Sequence, residues 1–482
     1  MRHIHSRLAA SLLLSAPCLF AQITPGNLLV SRVGDGAAVL VGTATARFLD
    51  EYTPSGVFVQ TIALPTTVSG PNRRMTDSGT ATSNGFISQS ADGLYLLAAG
   101  YDAALATAGV TGTTSAAVNR VIGRIALDET IDSSTALTDA YSGNNFRGVA
   151  SIDGSSFWIS GTGTNPGARF VASLGATTST QLSTSVTNLR CINIYNGQLY
   201  CSSSSGAFLG VSTVGAGLPT TTGQTITSLT GGTGASAYDF FFADANTVYV
   251  ADDRVNGSGG IQKWTLSAGI WSLAYTLAPN LTTGCRGLSG YVDNGVTTLF
   301  ATTVVTSAAV TTVVTVTDTG AASSFTTLVT NATNTALRDV QYVRTPSSQT
   351  YSGTSCATSV GIPTVGTAGG NAVIGNANFA FTAGNALPNF FVMFLLKGGT
   401  VSPFGIPLPG APACALVYVL PDVLLLSSTD ALGAASTPLA IPASNALAGA
   451  TLAAQVAAFD PALVGFDILI GTSNALQVVV GN

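Results

Sequence analysis

Four arginines occupy the same place in a pattern that repeats along the first three-quarters of the chain. Each stands at the start of an apolar run that is typical of an inner β-strand. The four are Arg147, Arg190, Arg286 and Arg338, and Asp239 and Asn84 fall near the equivalent place in two further copies.

Guanidinium groups bind carboxylates and sulfates through paired hydrogen bonds, so four of them around one opening could hold an anionic ligand, such as an acidic glycan. From the sequence alone we favour the other interpretation, which is structural. Buried arginines usually pair with carbonyl or carboxylate groups, here those of neighbouring repeats. Both interpretations require the repeats to gather these side chains at one place.

The repeat that would bring these side chains together is clearest in residues 144–163. They contain an arginine, an apolar run, an Asp-Gly turn and a second apolar run. Variants occur in residues 84–100, 188–206, 237–253 and 285–303. A strand, a tight turn and a second strand form a hairpin. A hairpin that recurs every ~40–60 residues predicts a β-propeller with four strands in each blade.

The resulting fold is all-β, with a propeller at residues 22–346. Five units begin at equivalent points of the repeat, near Gly85, Phe146, Leu189, Ala237 and Cys285. A sixth blade combines three strands from the start of the propeller with residues 336–344, which would close the ring and remove two exposed sheet edges. Seven blades remain the alternative, because the loops at 65–83 and 102–119 could hold another strand.

The first 21 residues predict a secretory signal peptide, because Arg2 and Arg7 precede an apolar run that ends before Ala21. We expect cleavage after Ala21 and export to the cell exterior. Cys18 raises the alternative of a lipoprotein, but the adjacent Pro17 makes a poor lipidation motif. No later segment is long and apolar enough to be a membrane span.

Signal removal would take away both histidines, His3 and His5. A Ser-His-Asp triad, a Cys-His pair and a histidine-ligated zinc are then excluded. Of 17 basic residues, 15 would remain against 22 acidic ones, a net charge of −7. Because nucleic-acid binding needs clustered cations, this composition argues against a nucleic-acid partner.

The remainder of the chain predicts a polar linker at 347–353 and an antiparallel β-sandwich at 354–482. The segments SGTSCATSVGIPTVG (352–366), GNANFAFTAGNALP (375–388) and GIPLPGAPACALVYVLPD (405–422) resemble the C-terminal β-sandwich module of many secreted bacterial proteins that carry propellers. The segments FLDEYTPSGVFVQTIALP (48–65) and SADGLYLLAAGYD (90–102) are similar to uncharacterised secreted bacterial β-propeller proteins. The resemblance implies a disulfide between Cys356 and Cys414, and it implies no activity.

Three other cysteines follow the signal segment. Cys191 and Cys201 lie on the two arms of one hairpin, nearly symmetric about its Asn-Gly turn, so they are a candidate disulfide. The alternative is two reduced, buried thiols. Cys285 is then expected to be a buried thiol with no disulfide and no chemical role.

Acidic loops at 251–256 and 291–294 could supply oxygen ligands to calcium, although Asp and Asn are also ordinary turn residues. We assign no other cofactor and no catalytic residue. The sequence therefore predicts a non-catalytic binding or interaction protein, with an exterior glycan, another anionic ligand or a protein as partner. The alternative is a hydrolase or lyase that acts on a carbohydrate or lactone with carboxylates or calcium in the channel.

Overall fold

The computed structural model describes residues 22–230, 235–255, 257–304 and 310–482. The predicted signal peptide, at residues 1–21, lies outside these ranges. Strands dominate the described chain, and its helical elements are the short 3-10 turns Val110–Gly112, Gly206–Phe208 and Asn445–Leu447. Within these ranges no helix is long and apolar enough to cross a bilayer.

The first part of the chain contains 26 strands among its described residues. The strands of the first half are β1 (Leu28–Val33), β2 (Ala44–Thr45), β3 (Arg47–Tyr52), β4 (Phe58–Ala63), β5 (Asp77–Ser78), β6 (Ile87–Gln89), β7 (Tyr95–Tyr101), β8 (Arg120–Ala126), β9 (Ile131–Leu137), β10 (Phe146–Ala150), β11 (Phe157–Gly161), β12 (Arg169–Val171) and β13 (Thr180–Gln181). The strands of the second half are β14 (Leu189–Tyr195), β15 (Gln198–Ser203), β16 (Gly210–Val214), β17 (Ile226–Ser228), β18 (Ala237–Asp244), β19 (Thr247–Asp252), β20 (Gly260–Ser267), β21 (Ile270–Leu277), β22 (Cys285–Asp293), β23 (Val296–Thr303), β24 (Thr312–Thr317), β25 (Thr326–Thr330) and β26 (Ala336–Tyr342).

Apart from the short pair β2–β5, these strands form six antiparallel sheets of four strands in the described part of the chain. Sheet 1 has the order β26-β1-β3-β4, and sheets 2 to 6 are β6–β9, β10–β13, β14–β17, β18–β21 and β22–β25. The five sequence units thus begin where inner strands begin. The loop at 65–83, one of the two that could hold a further strand, contains β5, which pairs with β2.

The six inner strands contact one another in a closed cycle, in the order β26, β6, β10, β14, β18, β22 and back to β26. We call sheets 1 to 6 the ring. The predicted closing strand is confirmed, since β26 pairs antiparallel with β1 from Leu28↔Tyr342 to Val33↔Ala336. Both ends of the ring segment therefore meet in sheet 1.

Side chains on both faces of a sheet are buried against its neighbours. In β19, Val248 and Val250 pack with residues of sheet 4, whereas Tyr249 and Ala251 pack with residues of sheet 6. Successive side chains of a strand point to opposite faces, so a sheet covered on both sides needs a continuous apolar run. This explains why the repeats do not show a polar-apolar alternation.

Hydroxyl groups link each of several sheets to the next. Ser160, Ser202 and Thr302, all on second strands, donate to the backbone carbonyls of residues in the adjoining inner strand. Ser202 and Thr302 also accept a hydrogen bond from an amide of their own inner strand. The inner strands approach closely here, because a Cβ at Gly148 in β10 would lie 3.0 Å from the Ile192 amide nitrogen in β14. A larger residue at this position would push the two sheets apart.

The C-terminal unit consists of ten further strands among the described residues. They are β27 (Ser348–Ser352), β28 (Thr364–Ala368), β29 (Ala380–Gly384), β30 (Phe391–Gly398), β31 (Ile406–Pro407), β32 (Leu416–Val417), β33 (Val423–Ser428), β34 (Ala435–Pro438), β35 (Thr451–Phe459) and β36 (Ile470–Val479). A five-stranded sheet, β27-β36-β35-β30-β33, and a three-stranded sheet, β28-β29-β34, share one apolar core that contains Phe379, Phe381 and Phe394.

The linker predicted at 347–353 is wrong for most of its length. These residues form β27, which pairs with β36 from Ser348↔Val479 to Ser352↔Ala475. Their polar side chains fit an edge strand whose outer face meets water, so polarity alone did not distinguish strand from linker.

The two predicted disulfides have opposite outcomes. Cys356 and Cys414 are bonded, with their Cα atoms 5.0 Å apart. Cys191 and Cys201 are buried free thiols, so that prediction is wrong. A β-bulge shifts the register and pairs Ile192 with Cys201, which leaves Cys191 in the core between sheets 4 and 5 and Cys201 in the core between sheets 3 and 4. Cys285 is also a buried free thiol.

Candidate functional site

The arginines are positioned by a bulge that recurs at the start of the inner strands. The register between first and second strand shifts at Arg147, Arg190 and Arg286, and Arg338 is the extra residue opposite β1. A bulge leaves one residue unpaired in the ladder and redirects its side chain. The same local irregularity therefore turns four arginines towards one end of the ring.

Two aromatic side chains occupy the equivalent place in the remaining sheets. They are Phe86, just before β6, and Tyr238, which lies within the bulge of β18. They come from sheets 2 and 5, which are opposite in the cycle, and their ring centroids are 5.9 Å apart. The two rings thus meet across the centre. We call this group, with the four arginines, the arginine mouth.

The half-buried members of the arginine mouth lie on either side of Tyr238. The guanidinium carbons of Arg190 and Arg286 are 4.4 and 4.9 Å from the centre of its ring. Arg286 also pairs with the Asp253 carboxylate at 3.0 Å. Arg190 donates instead to the Ser204 hydroxyl oxygen, at 3.0 Å from Nη2. A tyrosine face attracts a cation but leaves its charge unneutralised.

Arg147 and Arg338 lie deeper, with 4% and 5% of their surface exposed. Arg147 donates to the Asn188 side-chain oxygen at 2.6 Å and to the Leu189 carbonyl at 2.7 Å. Arg338 donates to the Gly79 carbonyl at 2.8 Å. The Nε atoms of both have no hydrogen-bond partner in the described chain. Buried donors normally have partners, so these two are exceptional.

Burial lowers the pKa of both deep arginines to about 10. The positive charge of Arg190 lowers the pKa of Arg147 further, which means that the two guanidinium groups repel each other. For Arg338, the Asp77 carboxylate acts in the opposite direction. Both side chains remain charged at neutral pH.

The carboxylates near the mouth do not balance its cations. Asp253 pairs with Arg286, and Asp77 is shared with another buried arginine, Arg47, at 4.0 Å. Among the described residues, no carboxylate lies within ion-pair distance of Arg147 or Arg190. Positive charge therefore accumulates here, although the whole chain carries a net charge of −5.

Asp239 and Asn84 lie near the mouth but have different surroundings. Asp239 follows Tyr238, and its carboxylate accepts hydrogen bonds from the Phe240 amide at 2.8 Å and the Leu288 amide at 3.2 Å. Asn84 is 1% exposed and donates to Asp77 and to the Tyr101 hydroxyl. The repeat-equivalent residues are thus Tyr238 and Phe86, whose aromatic side chains do not follow the polar pattern that marks the four arginines in the sequence.

A second buried carboxylate, Asp339, plays the same part as Asp239. It accepts from the amides of Ile87 and Val340 at 2.8 and 2.9 Å, so each aspartate joins its inner strand to the next sheet. Burial raises the pKa of Asp239 to about 7. Burial and the nearby Asp239 charge raise the pKa of Asp339 well above its usual range.

The space beside Asp239 is too small for a substrate. It is a cavity of about 20 Å³. All six inner strands line it, through residues that include Ile87, Val149, Cys191, Asp239, Leu288 and Gln341. A volume of this size holds roughly one water molecule. The two carboxylates therefore hold the inner strands together through backbone amides, and the space beside Asp239 is too small for a sugar.

The residues that the structure describes contain no group of three His, Cys, Asp or Glu side chains that could hold a metal ion. The acidic loop at 251–256 includes Asp252, which pairs with Arg254, and Asp253, which pairs with Arg286. Residue 256 lies outside the described ranges. The calcium hypothesis stays untested.

Neither a protein-family model nor a curated protein sequence matches the chain. Solved structures with some likeness include the hydrazine synthase of Kuenenia stuttgartiensis, at 10% identity and a TM-score of 0.32, over 52% of this chain and 66% of that one. The WD40 β-propeller domain of Doa1 has 12% identity and a TM-score of 0.27, over 41% and 60%. Apo AztD from Citrobacter koseri has 10% identity and a TM-score of 0.28, over 95% and 98%. At TM-scores this low, the likenesses carry no argument about function.

Proposed function

We propose that this chain is a non-catalytic binding protein of the cell exterior that holds an anionic ligand at the arginine mouth. In this proposal the six sheets are the blades of a six-bladed β-propeller, and the C-terminal unit is a β-sandwich module. The protein is exported after loss of residues 1–21. The ligand carries carboxylates or sulfates, as a uronic-acid or sulfated glycan does.

The observation that carries the proposal is the neighbouring pair Arg147 and Arg190. Neither has a carboxylate partner among the described residues, and the positive charge of Arg190 lowers the pKa of Arg147. An anion between or above them would relieve this repulsion and form charge-assisted hydrogen bonds. Arg190 and Arg286, the half-buried members, are the groups that such a ligand can reach.

The positions of the carboxylates support binding over hydrolysis or lysis. An acid–base mechanism needs carboxyl groups that face the ligand. The buried pair, Asp239 and Asp339, is engaged with four backbone amides, and the adjoining cavity holds about one water. Asp253 is paired with Arg286.

The test compares Arg190→Gln with Arg124→Gln. Both arginines stack on a tyrosine, Arg190 on Tyr238 at 4.4 Å and Arg124 on Tyr95 at 4.7 Å, but Arg124 lies outside the mouth and pairs with Asp132. The probes are hexagalacturonate and a heparin-derived hexasaccharide, titrated calorimetrically from about 0.05 to 0.3 M salt, a range over which screening increases strongly.

Wild-type protein and Arg124→Gln should bind at least one probe, and binding should weaken as salt rises. Arg190→Gln should lose about tenfold or more in affinity, because a charge-assisted hydrogen bond contributes about 1.5–3 kcal/mol. Its melting temperature should change little, since Arg190 is half-buried and bonds to one serine. Failure of both probes to bind, or equal binding by the two variants, would overturn the proposal.

A further inference from the structure

A second, much larger cavity lies at the opposite end of the ring, where the C-terminal unit meets it. Its volume is about 660 Å³. The ends of the inner strands form one wall, with Asn193, Ser289 and Gln341, and the C-terminal unit closes the other side with Ala443 and Asn482. We call this cavity the seam cleft. Small-molecule sites typically have volumes of about 300–1,000 Å³.

Two side-chain amides of the seam cleft have unused hydrogen-bonding capacity. The Asn193 side chain accepts from the Ile194 amide, which leaves its NH₂ group without a partner among the described residues. Gln341 donates to the Tyr342 carbonyl, which leaves its side-chain oxygen free in the described chain. These are donors and acceptors of the kind that bind hydroxyl groups.

Aromatic rings line the same cleft. Tyr195, Phe242 and Tyr291 line it, and Tyr195 stacks on Phe242 with ring centroids 4.7 Å apart and planes 11° apart. Flat aromatic surfaces beside amide groups suit ligands that have an apolar face and a hydroxyl edge, as pyranose rings do.

The charges of the seam cleft cancel. Lys263 lines it and is 2.8 Å from the Asp318 carboxylate, which two tyrosine hydroxyls also contact. The remaining charged side chains of the lining are those of Arg344 and Asp244, one of each sign. This balance contrasts with the arginine mouth, and it favours an uncharged ligand.

From these features we infer that the seam cleft is a second binding site, which takes a neutral oligosaccharide. The inference is independent of the anion site, because it depends on different residues at the other end of the ring. A ligand in the cleft touches both units. It would therefore add to the contacts that hold them together, such as the Asn445 amide to the Asp293 carboxylate at 2.8 Å.

Two tyrosines provide a matched pair of variants. Tyr195 and Tyr200 both pack on Phe242, at 4.7 and 4.6 Å between centroids, but only Tyr195 lines the seam cleft. Tyr195→Ala and Tyr200→Ala should therefore lose similar packing, whereas only the first removes a ring from the cleft. Asn193→Ala serves as a second cleft variant that spares the aromatic packing.

The probes are maltohexaose, cellohexaose, xylohexaose and mannohexaose, titrated calorimetrically into the full chain. We expect at least one to bind, without the salt dependence of the acidic probes. Tyr195→Ala should weaken that binding about tenfold, as the loss of one aromatic contact predicts. Tyr200→Ala and Arg190→Gln should bind like wild type, and Asn193→Ala should bind more weakly.

The proposal is overturned if none of the four probes binds. It is also overturned if Tyr195→Ala and Asn193→Ala both bind like wild type, or if Tyr200→Ala weakens binding as much as Tyr195→Ala. If the wild-type protein binds a neutral probe but neither acidic probe, the proposed function fails and the seam cleft stands, because the two sites use different residues.

Discussion

The buried aspartates should make the ring less stable as the pH rises from 5 to 8. Burial raises the pKa of Asp239 to about 7, whereas an aspartate in an unfolded chain titrates near 3.9. Between these values the folded protein holds a proton that the unfolded chain has released. The stabilisation is therefore complete below about pH 4 and is lost as the pH rises through about 7. Asp339, whose pKa is also raised, acts in the same direction.

The size of this loss of stability follows from the rise in the pKa of Asp239. Each unit of pH over which the folded state holds one extra proton changes the free energy of unfolding by about 1.4 kcal/mol. Asp239 alone should therefore lower that free energy by about 2–3 kcal/mol between pH 5 and pH 8. For a unit of several hundred residues this corresponds to roughly 3–5 °C in melting temperature. No histidine follows His5, so few other groups titrate in this window.

The assay is the melting temperature of wild type and Asp239→Asn at pH 5, 6, 7 and 8 and constant ionic strength. The variant should show a shallower decline, because its amide does not ionise and no longer raises the pKa of Asp339. Asp318→Asn is the control. The pKa of Asp318 is lowered, chiefly by its hydrogen bonds to Lys263 and two tyrosines acting against burial, so its stabilisation is lost only at acid pH. This control should melt lower but keep the wild-type slope. A wild-type melting temperature that is flat or rises from pH 5 to 8 would refute the reasoning.

Three further predictions concern the ends and the bridge of the chain. A chain that ends at Ser348 should stay soluble, whereas one that ends at Asn334 lacks β26, exposes an edge of β1 and should aggregate; equal solubility in sedimentation would contradict ring closure. Replacing Cys356 and Cys414 by Ser removes a bridge between residues 58 apart and should lower the free energy of unfolding of the C-terminal unit by about 4 kcal/mol in urea titrations. A non-reducing peptide map of the wild type that finds both thiols free would count against this bridge. Exported protein should begin at Gln22 by intact-mass measurement, and a lipid-bearing start upstream would contradict the signal-peptide assignment.

The repeat made much of the ring predictable from sequence. Inner strands begin at Phe146, Leu189, Ala237 and Cys285, where the repeats place them, and β26 pairs with β1 as the need to cover sheet edges suggests. The start of each inner strand is encoded locally in its repeat, and the pairing of β26 with β1 follows from the general rule that exposed sheet edges are covered. The bulges were not predictable, because a register shift depends on both strands of a pair.

The arginine mouth and the seam cleft differ in how many of their residues can be predicted from the sequence. Repeat spacing identified the four arginines, but Phe86 and Tyr238 share their position without sharing their chemistry. The seam cleft has no sequence signature. Its walls combine Asn193, Gln341 and Asn482, which become neighbours only after the C-terminal unit docks on the ring. Likewise, Cys191 and Cys201 look paired until the bulge places them on opposite faces.

The route of the chain out of the ring also determines how the molecule bears tension. β26 leads within a few residues into β27, so a pull on the C-terminal unit acts directly on the closing strand. With Tyr342 opposite Leu28, a pull between the C-terminal unit and the start of β1 separates the two strands one hydrogen bond at a time, from a single end. A pull between the C-terminal unit and a ligand at the arginine mouth instead acts along the strands and loads all their hydrogen bonds together. Single-molecule stretching should therefore give a low rupture force when the C-terminal unit is pulled away from the start of β1, and a high one when it is pulled away from the arginine mouth. If the protein links a surface to a bound anion, it would be strongest along the line from the C-terminal unit to that anion.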